Sequence, residues 1–286
     1  MSAETPAGAP ARQPGSPATR STPADPPSDS GDAGRVEALA LDGIPEIVTG
    51  DDLAALIGDA IEATAGVLPL RGDDVLVVTQ KVVSKAEGAI VDLETIVPRA
   101  EAVAFADRWD RDPRQVEVVL REARRVVRME RGVIITETEH GFVCANGGVD
   151  ASNVGPASGH IVTLLPHDPD ASAAAIRAAV RERFGVDVPV IVSDSFGRPW
   201  RWGITDVAIG VSGLIPIEDL RGVADADGRF MKSTIRASAD EIASAAELAL
   251  GKTAGRPAAL VRGARPLLGE GSIRDSLMPP EFDLFP

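Results

Sequence analysis

The stretch Val186-Asp187-Val188-Pro189-Val190-Ile191-Val192-Ser193-Asp194-Ser195-Phe196-Gly197-Arg198-Pro199-Trp200-Arg201-Trp202-Gly203-Ile204-Thr205-Asp206 passes from an apolar run rich in β-branched residues to a polar one punctuated by Gly and Pro. Its first part, Val186 to Val192, predicts a buried strand. On this reading the strand ends on Asp194 and Ser195, and Arg198 and Arg201 follow in a loop. A carboxylate and a hydroxyl at the mouth of a strand are hard oxygen ligands suited to Mg²⁺ or Mn²⁺. Guanidinium groups beside them suit an anionic, metal-bound substrate. The same residues also have a purely structural reading, with Asp194 capping a turn, the arginines solvated and both tryptophans in a core.

Outward from this stretch, Val75–Thr79 reads as a second strand buried on both faces. It runs into Gln80-Lys81-Val82-Val83-Ser84-Lys85-Ala86-Glu87-Gly88. Two lysines and a serine after a buried strand can hold phosphate oxygens, or can form an amphipathic connection whose lysines reach water. Further strands are expected at Val36–Leu41, Ile161–Leu165, Val207–Val211 and Ala258–Val261, with a hairpin from Val133–Thr136 and Phe142–Ala145. Asp51 or Asp52 can cap a helix through about Ala65, with Leu53, Leu56, Ile57 and Ile61 on one face. Asp170 is expected to cap another through about Phe184, and Ala237–Leu250 a third that ends at Gly251. Arg99 to Met129 reads as two charged, solvent-facing helices broken at Asp112-Pro113. The loop Asn146-Gly147-Gly148-Val149-Asp150-Ala151-Ser152-Asn153-Val154-Gly155-Pro156 offers an oxygen ligand, Asp150, and an amide, Asn153, on a backbone that can approach a ligand closely. Gly, Asn, Asp and Ser are also what ordinary loops contain.

Composition narrows the partners. A net charge of −14 and a sequence pI near 4.7 leave no basic stripe for nucleic acid, so anionic ligands must be met by local cations. The one cysteine, Cys144, excludes an internal disulfide framework and reads as a small buried hydrophobe in a reducing compartment. No run approaches bilayer length and the N-terminus lacks the pattern of a secretory signal, so a cytoplasmic protein is expected. Residues 1–34, rich in Pro, Ala, Ser, Thr and Gly, have too little apolar surface to offset ordering entropy and are expected to be a disordered tail. The folded domain is then expected at 35–286.

Three tempting motifs fail. Gly251-Lys252-Thr253 resembles the end of a P-loop, but position 246 is Ala where the motif needs Gly, and the triplet follows a helix. The three histidines lack metal-ligand spacing, which argues against zinc. Ser195 sits in Asp-Ser-Phe-Gly, not in a nucleophile elbow.

Taken in order, Thr79-x-Lys81-Val82-Val83-Ser84-Lys85-x-Glu87-Gly88, Gly148-Val149-Asp150-x-Ser152-Asn153-Val154 and Asp194-Ser195-x-Gly197-Arg198-x-Trp200-Arg201 resemble the coenzyme F420-0:L-glutamate ligase (γ-glutamyl ligase) family. The resemblance runs from about Leu41 to Arg262. It is also similar to the ligase half of a two-domain actinobacterial enzyme, whose nitroreductase-like domain is not expected within these 286 residues. The resemblance implies a mixed α/β (α+β) fold of two subdomains that forms an intertwined homodimer. It implies GTP-dependent addition of L-glutamate to the carboxylate of F420-0, with later glutamates joined through γ-carboxylates. It implies Mn²⁺ or Mg²⁺, two per subunit, and K⁺. Carried residue by residue, Asp150 and Asp194 match metal ligands and Ser195 a ligand of the second metal. Ile44-Pro45-Glu46-Ile47, Lys85 and Asn153 match positions that contact GTP.

Two departures stand out. Gln80 occupies a place where many relatives have Ser, and offers a donor and acceptor of longer reach. Lys252-Thr253 lies in a segment resembling a nucleotide-contacting loop that in archaeal relatives bears an acidic metal ligand, which leaves the second metal site one ligand short. Lys85, Asp150, Asp194 and Arg198 are the candidates for catalytic work, Arg198 or Arg201 pairing with glutamate or with the precursor's phosphodiester. The alternatives are a metal-dependent nucleotide or phosphate hydrolase using the same ligands, and a nucleotide-binding module without turnover. Trp200 and Trp202 are expected to pack and fix the loop.

Overall fold

A computed structural model describes residues 34–151 and 159–284. The stretch read as a disordered tail lies outside the described residues but for Gly34, and so does Asn153. In chain order the elements are β1 (Glu37–Ala40), α1 (Leu53–Ala63), β2 (Val75–Thr79), α2 (Gln80–Glu87), β3 (Ile90–Asp92), α3 (Ala100–Trp109), α4 (Pro113–Glu122), β4 (Ala123–Glu130), β5 (Val133–Thr138), β6 (Val143–Ala145), β7 (Ile161–Thr163), α5 (Pro169–Phe184), β8 (Val190–Arg198), β9 (Arg201–Ser212), β10 (Glu218–Asp219), β11 (Ile235–Arg236), α6 (Ser238–Leu250) and β12 (Ala258–Arg262). The fold is mixed α/β. Described residues from Gly34 onward belong to one compact unit.

A five-stranded sheet in the order β1-β12-β2-β8-β9 carries the main core. Only β2 and β8 run parallel, with Thr79 opposite Ser193, so the ends of two strands distant in sequence arrive side by side. Both are apolar on both faces: Val75, Leu76, Val77, Val78, Val190, Ile191 and Val192 are fully buried. Each such side chain contributes roughly 1.5–3 kcal/mol by leaving water. Helix α6 packs across the sheet, α5 lies on β8 and β9, and α1 packs on α5. The approach of α5 is close enough that a Cβ at Gly210 would lie 2.4 Å from the Pro169 carbonyl oxygen. Arg262 donates both of its carboxylate-facing nitrogens to buried Asp74, at 2.8 and 2.9 Å, and also reaches the Val67 carbonyl oxygen. This satisfies a charge pair that would otherwise be costly inside the core.

Several expectations change. The charged stretch to Met129 is helical only as far as Glu122; Ala123–Glu130 is β4, paired with β5. Val126 and Val127 favour extended backbone, and Arg124 and Arg125 both pair across the ladder with Glu137. Nor do α3 and α4 merely face solvent, because Ala102, Phe105, Ala106, Val116 and Val119 bury a separate small core with Ile134. The cap of α5 is Asp168, whose side chain accepts from the Ala171 amide, with Pro169 at the first turn where its missing N–H is not needed. Asp170 instead accepts from the Val211 amide at 2.7 Å and from the Ser272 hydroxyl at 2.7 Å.

A further change concerns the opening stretch. The strand does not end at Asp194. It runs on to Arg198, turns through Pro199-Trp200 and returns as β9 with Arg198 opposite Arg201. Trp200 lies in the turn at φ 56 and is 84% exposed, and Trp202 is fully exposed. The tryptophans therefore cap a projecting hairpin and do not pack beneath a loop. The ladder also slips between Val192–Gly210 and Ser193–Ala208, leaving Ile209 without an opposite residue. A bulge at this point re-aims the side chains that follow it, which are Ser193, Asp194 and Ser195.

Candidate functional site

A cleft of about 660 Å³ opens where β2 and β8 end, the place at which α/β sheets commonly bind ligands. Its walls come from the segment before α1, from the start of α2, from the turn after β6, from β8 and β9, and from the loop after α6.

The turn after β6 explains how Asp150 gets there. Asn146, Gly147 and Gly148 have φ of 55°, 61° and 71°, three successive left-handed residues. A Cβ at Gly148 would lie 2.6 Å from the Leu165 side chain, so the glycine permits the close approach as well as the conformation. The chain then pairs with β7: the Asp150 amide donates to Thr163 O at 3.0 Å, and the Thr163 amide donates back to Asp150 O at 2.9 Å. With its backbone fixed on both sides, Asp150 meets Lys81 Nζ at 2.7 Å through Oδ2.

Lys85, on the next turn of α2, is buried and reaches Glu46 Oε1 at 2.5 Å. The fold thus joins Glu46, in the Ile44-Pro45-Glu46-Ile47 segment, to a cation 39 residues away. Pro45, Glu46 and Ile47 line the cleft, while Ile44 packs on the main core. Gln80 also borders the cleft, but it is buried and its amide nitrogen is engaged inside the fold, donating to Leu164 O at 2.7 Å and to Ser84 Oγ at 2.6 Å.

Asp194 is held with little compensation. Burial pushes its carboxyl up to about 7 against the donated Ser195 amide; the nearby Asp150 and Asp206 charges raise it further, and Lys252 opposes them. Burial, with a further push from Asp194, also drives the Cys144 thiol up to about 12, which makes it inert as a nucleophile. Two carboxylates facing one cleft, one of them strained toward protonation, are a donor set that a divalent ion would relieve. Among the described residues no three His, Cys, Asp or Glu side chains form a complete metal cage. Mg²⁺-type ions do not require one, since one or two carboxylates with substrate phosphates and water suffice.

Asp206 is different. It is 2% exposed, lies directly across the ladder from Ser195 and accepts that residue's hydroxyl at 2.6 Å through Oδ1. Ser193 Oγ donates to its Oδ2 at 3.3 Å, and Lys252 Nζ reaches Oδ1 at 3.1 Å. Lys252 also donates to Ser195 Oγ and lies 3.4 Å from Glu247 Oε1. Desolvation would lower the lysine, but the Asp206 and Glu247 charges outweigh it and hold the ammonium above its ordinary range.

The sequence reading did not single out Asp206, Glu247 or Arg256, all of which line the cleft. The signal for Asp206 was the pair Arg198/Arg201 about a two-residue turn, which folds Asp206 back beside Ser195. Lys85, Asp150, Asp194, Ser195, Lys252 and Thr253 converge on the cleft, whereas Arg198 and Arg201 sit on the exposed hairpin tip, outside its lining.

Comparison with known proteins agrees in extent. Residues 43–263 match the sequence profile described as F420-0:Gamma-glutamyl ligase. The chain is 44% identical over 260 residues to the "Coenzyme F420:L-glutamate ligase" of Methanopyrus kandleri, covering 88% of this chain and 99% of that one. It is 42% identical over 253 residues to the protein of the same name from Methanothermobacter thermautotrophicus, covering 87% and 98%. The corresponding protein of Methanocaldococcus jannaschii is 42% identical over 218 residues, covering 76% and 86%. Matched across nearly the whole of such relatives, this chain belongs to the F420-0:gamma-glutamyl ligase family.

Proposed function

We propose that this protein is a ligase that joins L-glutamate to the carboxylate of F420-0 at the expense of GTP, with further glutamates added through γ-carboxylates. The observation that supports it best is the convergence of Lys81, Lys85, Asp150 and Asp194 on one cleft from three separate stretches of sequence. A Mn²⁺ or Mg²⁺ ion on Asp150 and Asp194 would supply charge neutralisation at the phosphates, and K⁺ is expected to assist. Lys85 serves the phosphate oxygens from a buried seat fixed by Glu46, so little reorganisation accompanies the reaction. Lys81 releases Asp150 and turns to the phosphates. The segment Pro45–Ile47 and the start of α2, which line the cleft, border the nucleotide, and Asn153 is assigned to it from the motif in which it stands.

In this reading the F420-0 carboxylate attacks the γ-phosphorus and GDP leaves. The glutamate amine then displaces phosphate from the acyl phosphate, losing a proton to solvent. Such transfers need alignment and charge neutralisation more than covalent help from the protein. Arg198 and Arg201 are assigned to the acceptor carboxylates or phosphodiester. The exposed apolar tip of the hairpin, with Trp200, Trp202 and Ile204, favours a homodimer in which a second copy covers it. The separate cores around the main sheet and around α3, α4 and β5 favour two subdomains. Among the described residues no helix is long and apolar enough to cross a membrane.

The test is incubation with GTP, Mn²⁺ and F420-0, with and without glutamate, read by mass spectrometry of the deazaflavin and by GDP release. The mass of a glutamyl residue on the precursor is expected. GTP cleavage with no such product would instead mean a hydrolase, and saturable GTP binding without turnover a binding module.

A further inference from the structure

We infer that Lys252 is the cleft's own second cation: its ammonium occupies the position among Ser195, Asp206 and Glu247 that a second divalent ion would take, so that each chain binds one divalent ion. The inference deepens the function proposed above and rests on it for the ion at Asp150 and Asp194.

Three oxygens from three elements converge on Lys252 Nζ: Ser195 Oγ from β8, Asp206 Oδ1 from β9 at 3.1 Å and Glu247 Oε1 from α6 at 3.4 Å. Hard oxygen donors gathered from separate elements are what a metal site looks like, and here an ammonium fills it. The hydroxyl that could ligate an ion is already committed. Its proton goes to Asp206 Oδ1 at 2.6 Å and its lone pairs receive the lysine. Asp206 is in turn fixed, with Ser193 on its other oxygen and its backbone carbonyl accepting from Ser244 Oγ at 2.7 Å. A dication could reach this corner only by expelling the ammonium or lying against it, and like charges at such separations repel strongly in a partly desolvated cleft.

The arrangement also gives the lysine work to do. It lies in the loop after α6, on the cleft wall, with its side chain 51% exposed. Asp206 and Glu247 are positioning residues that hold a point charge where a phosphate oxygen of the nucleotide can meet it. Lysine differs from a bound ion in that it cannot be removed by chelation and does not exchange.

The experiment is equilibrium dialysis of the full-length protein against Mn²⁺, with and without the β,γ-imido analogue of GTP, counting protein-bound manganese. One ion per chain is expected for the wild type. Lys252→Glu, which frees the corner and adds a carboxylate, is expected to bind two. Lys252→Met, whose uncharged side chain is of similar length and keeps the corner filled while offering no oxygen, should stay at one while its dissociation constant for the analogue rises roughly tenfold or more, the cost of one charge-assisted contact. Two ions in the wild type, or a folded Lys252→Glu that still binds one, overturns the inference and leaves the ligase reading standing. No bound manganese in the wild type removes the Asp150–Asp194 assignment and this inference with it. The wild-type count needs no variant, so misfolding of either substitution leaves the test decisive.

Discussion

Asp194 and Asp206 hang from the same hairpin and border the same cleft, yet they are treated in opposite ways. Asp206 has Ser193, Ser195 and Lys252 around it, so its charge is answered within the fold. Among the described residues Asp194 accepts from one backbone amide, that of Ser195, and burial, with Asp150 and Asp206 adding to it, raises it to about 7. A third carboxylate, Glu117 on the buried face of α4, shows the ordinary structural solution: Arg99, then Arg121, hold it down to about 2. A buried acid clasped by arginines stabilises the fold; one with no cation bonded to it among the described residues, and only the field of Lys252 in its favour, is a candidate for binding a ligand. The contrast separates the part of the cleft completed by the chain from the part completed by what it binds.

Several substitutions put the contrast under strain. Asp194→Asn is expected to lower glutamate-dependent GDP release by about a thousandfold or more, as loss of a charge-stabilising group does. A variant within tenfold of wild type would remove Asp194 from the chemistry. Asp206→Asn should cost roughly a hundredfold in kcat/KM, with KM for GTP rising as Lys252 loses its anchor. If kcat falls while KM for GTP is unchanged, the lysine does not depend on Asp206 for its place.

The same two types of acid should be legible in stability. Asp194 has a folded value raised above its unfolded one, so the ionised form opposes folding. Its contribution is fully favourable below the unfolded value of 3.8 and is lost as pH rises through about 7. Held ionised at pH 8 without metal, it costs about 4 kcal/mol. The metal-free Asp194→Asn protein should therefore melt roughly 10 °C above wild type at pH 8 and close to it at pH 4. Equal melting temperatures at pH 8 would show that the carboxylate is not strained. Glu117 has the opposite sign: it stabilises above 4.5 and that stability is lost as pH falls through about 2. Glu117→Gln should flatten the acid limb of the melting curve and leave turnover at neutral pH unchanged, the smallest effect of the set.

Local signals in the chain carried much of this. The apolar β2 and β8, Asp52 as the cap of α1 and the hairpin β5–β6 follow from residues near in sequence. Lys85, Asp150 and Asp194 could be marked because charged residues after buried strands and in Gly-rich turns are unusual. Pairing across distance was not legible. Thr79 opposite Ser193 is a parallel register that no local pattern encodes. β4 reads as helix because its charges follow a helical spacing, while their partner Glu137 lies on the next strand. Asp206 gives no local signal because Gly197, Pro199 and Gly203 read as an irregular loop, and only the two-residue turn at Pro199-Trp200 brings it back beside Ser195.

That turn has a practical side. The chain has three tryptophans and no tyrosine, and two of the three stand on the hairpin tip, 84% and fully exposed. Intrinsic fluorescence of this protein is therefore dominated by one small region. Its emission should be red-shifted in the isolated chain and move to the blue when anything covers the tip, which turns the hairpin into a label-free optical reporter of its own burial.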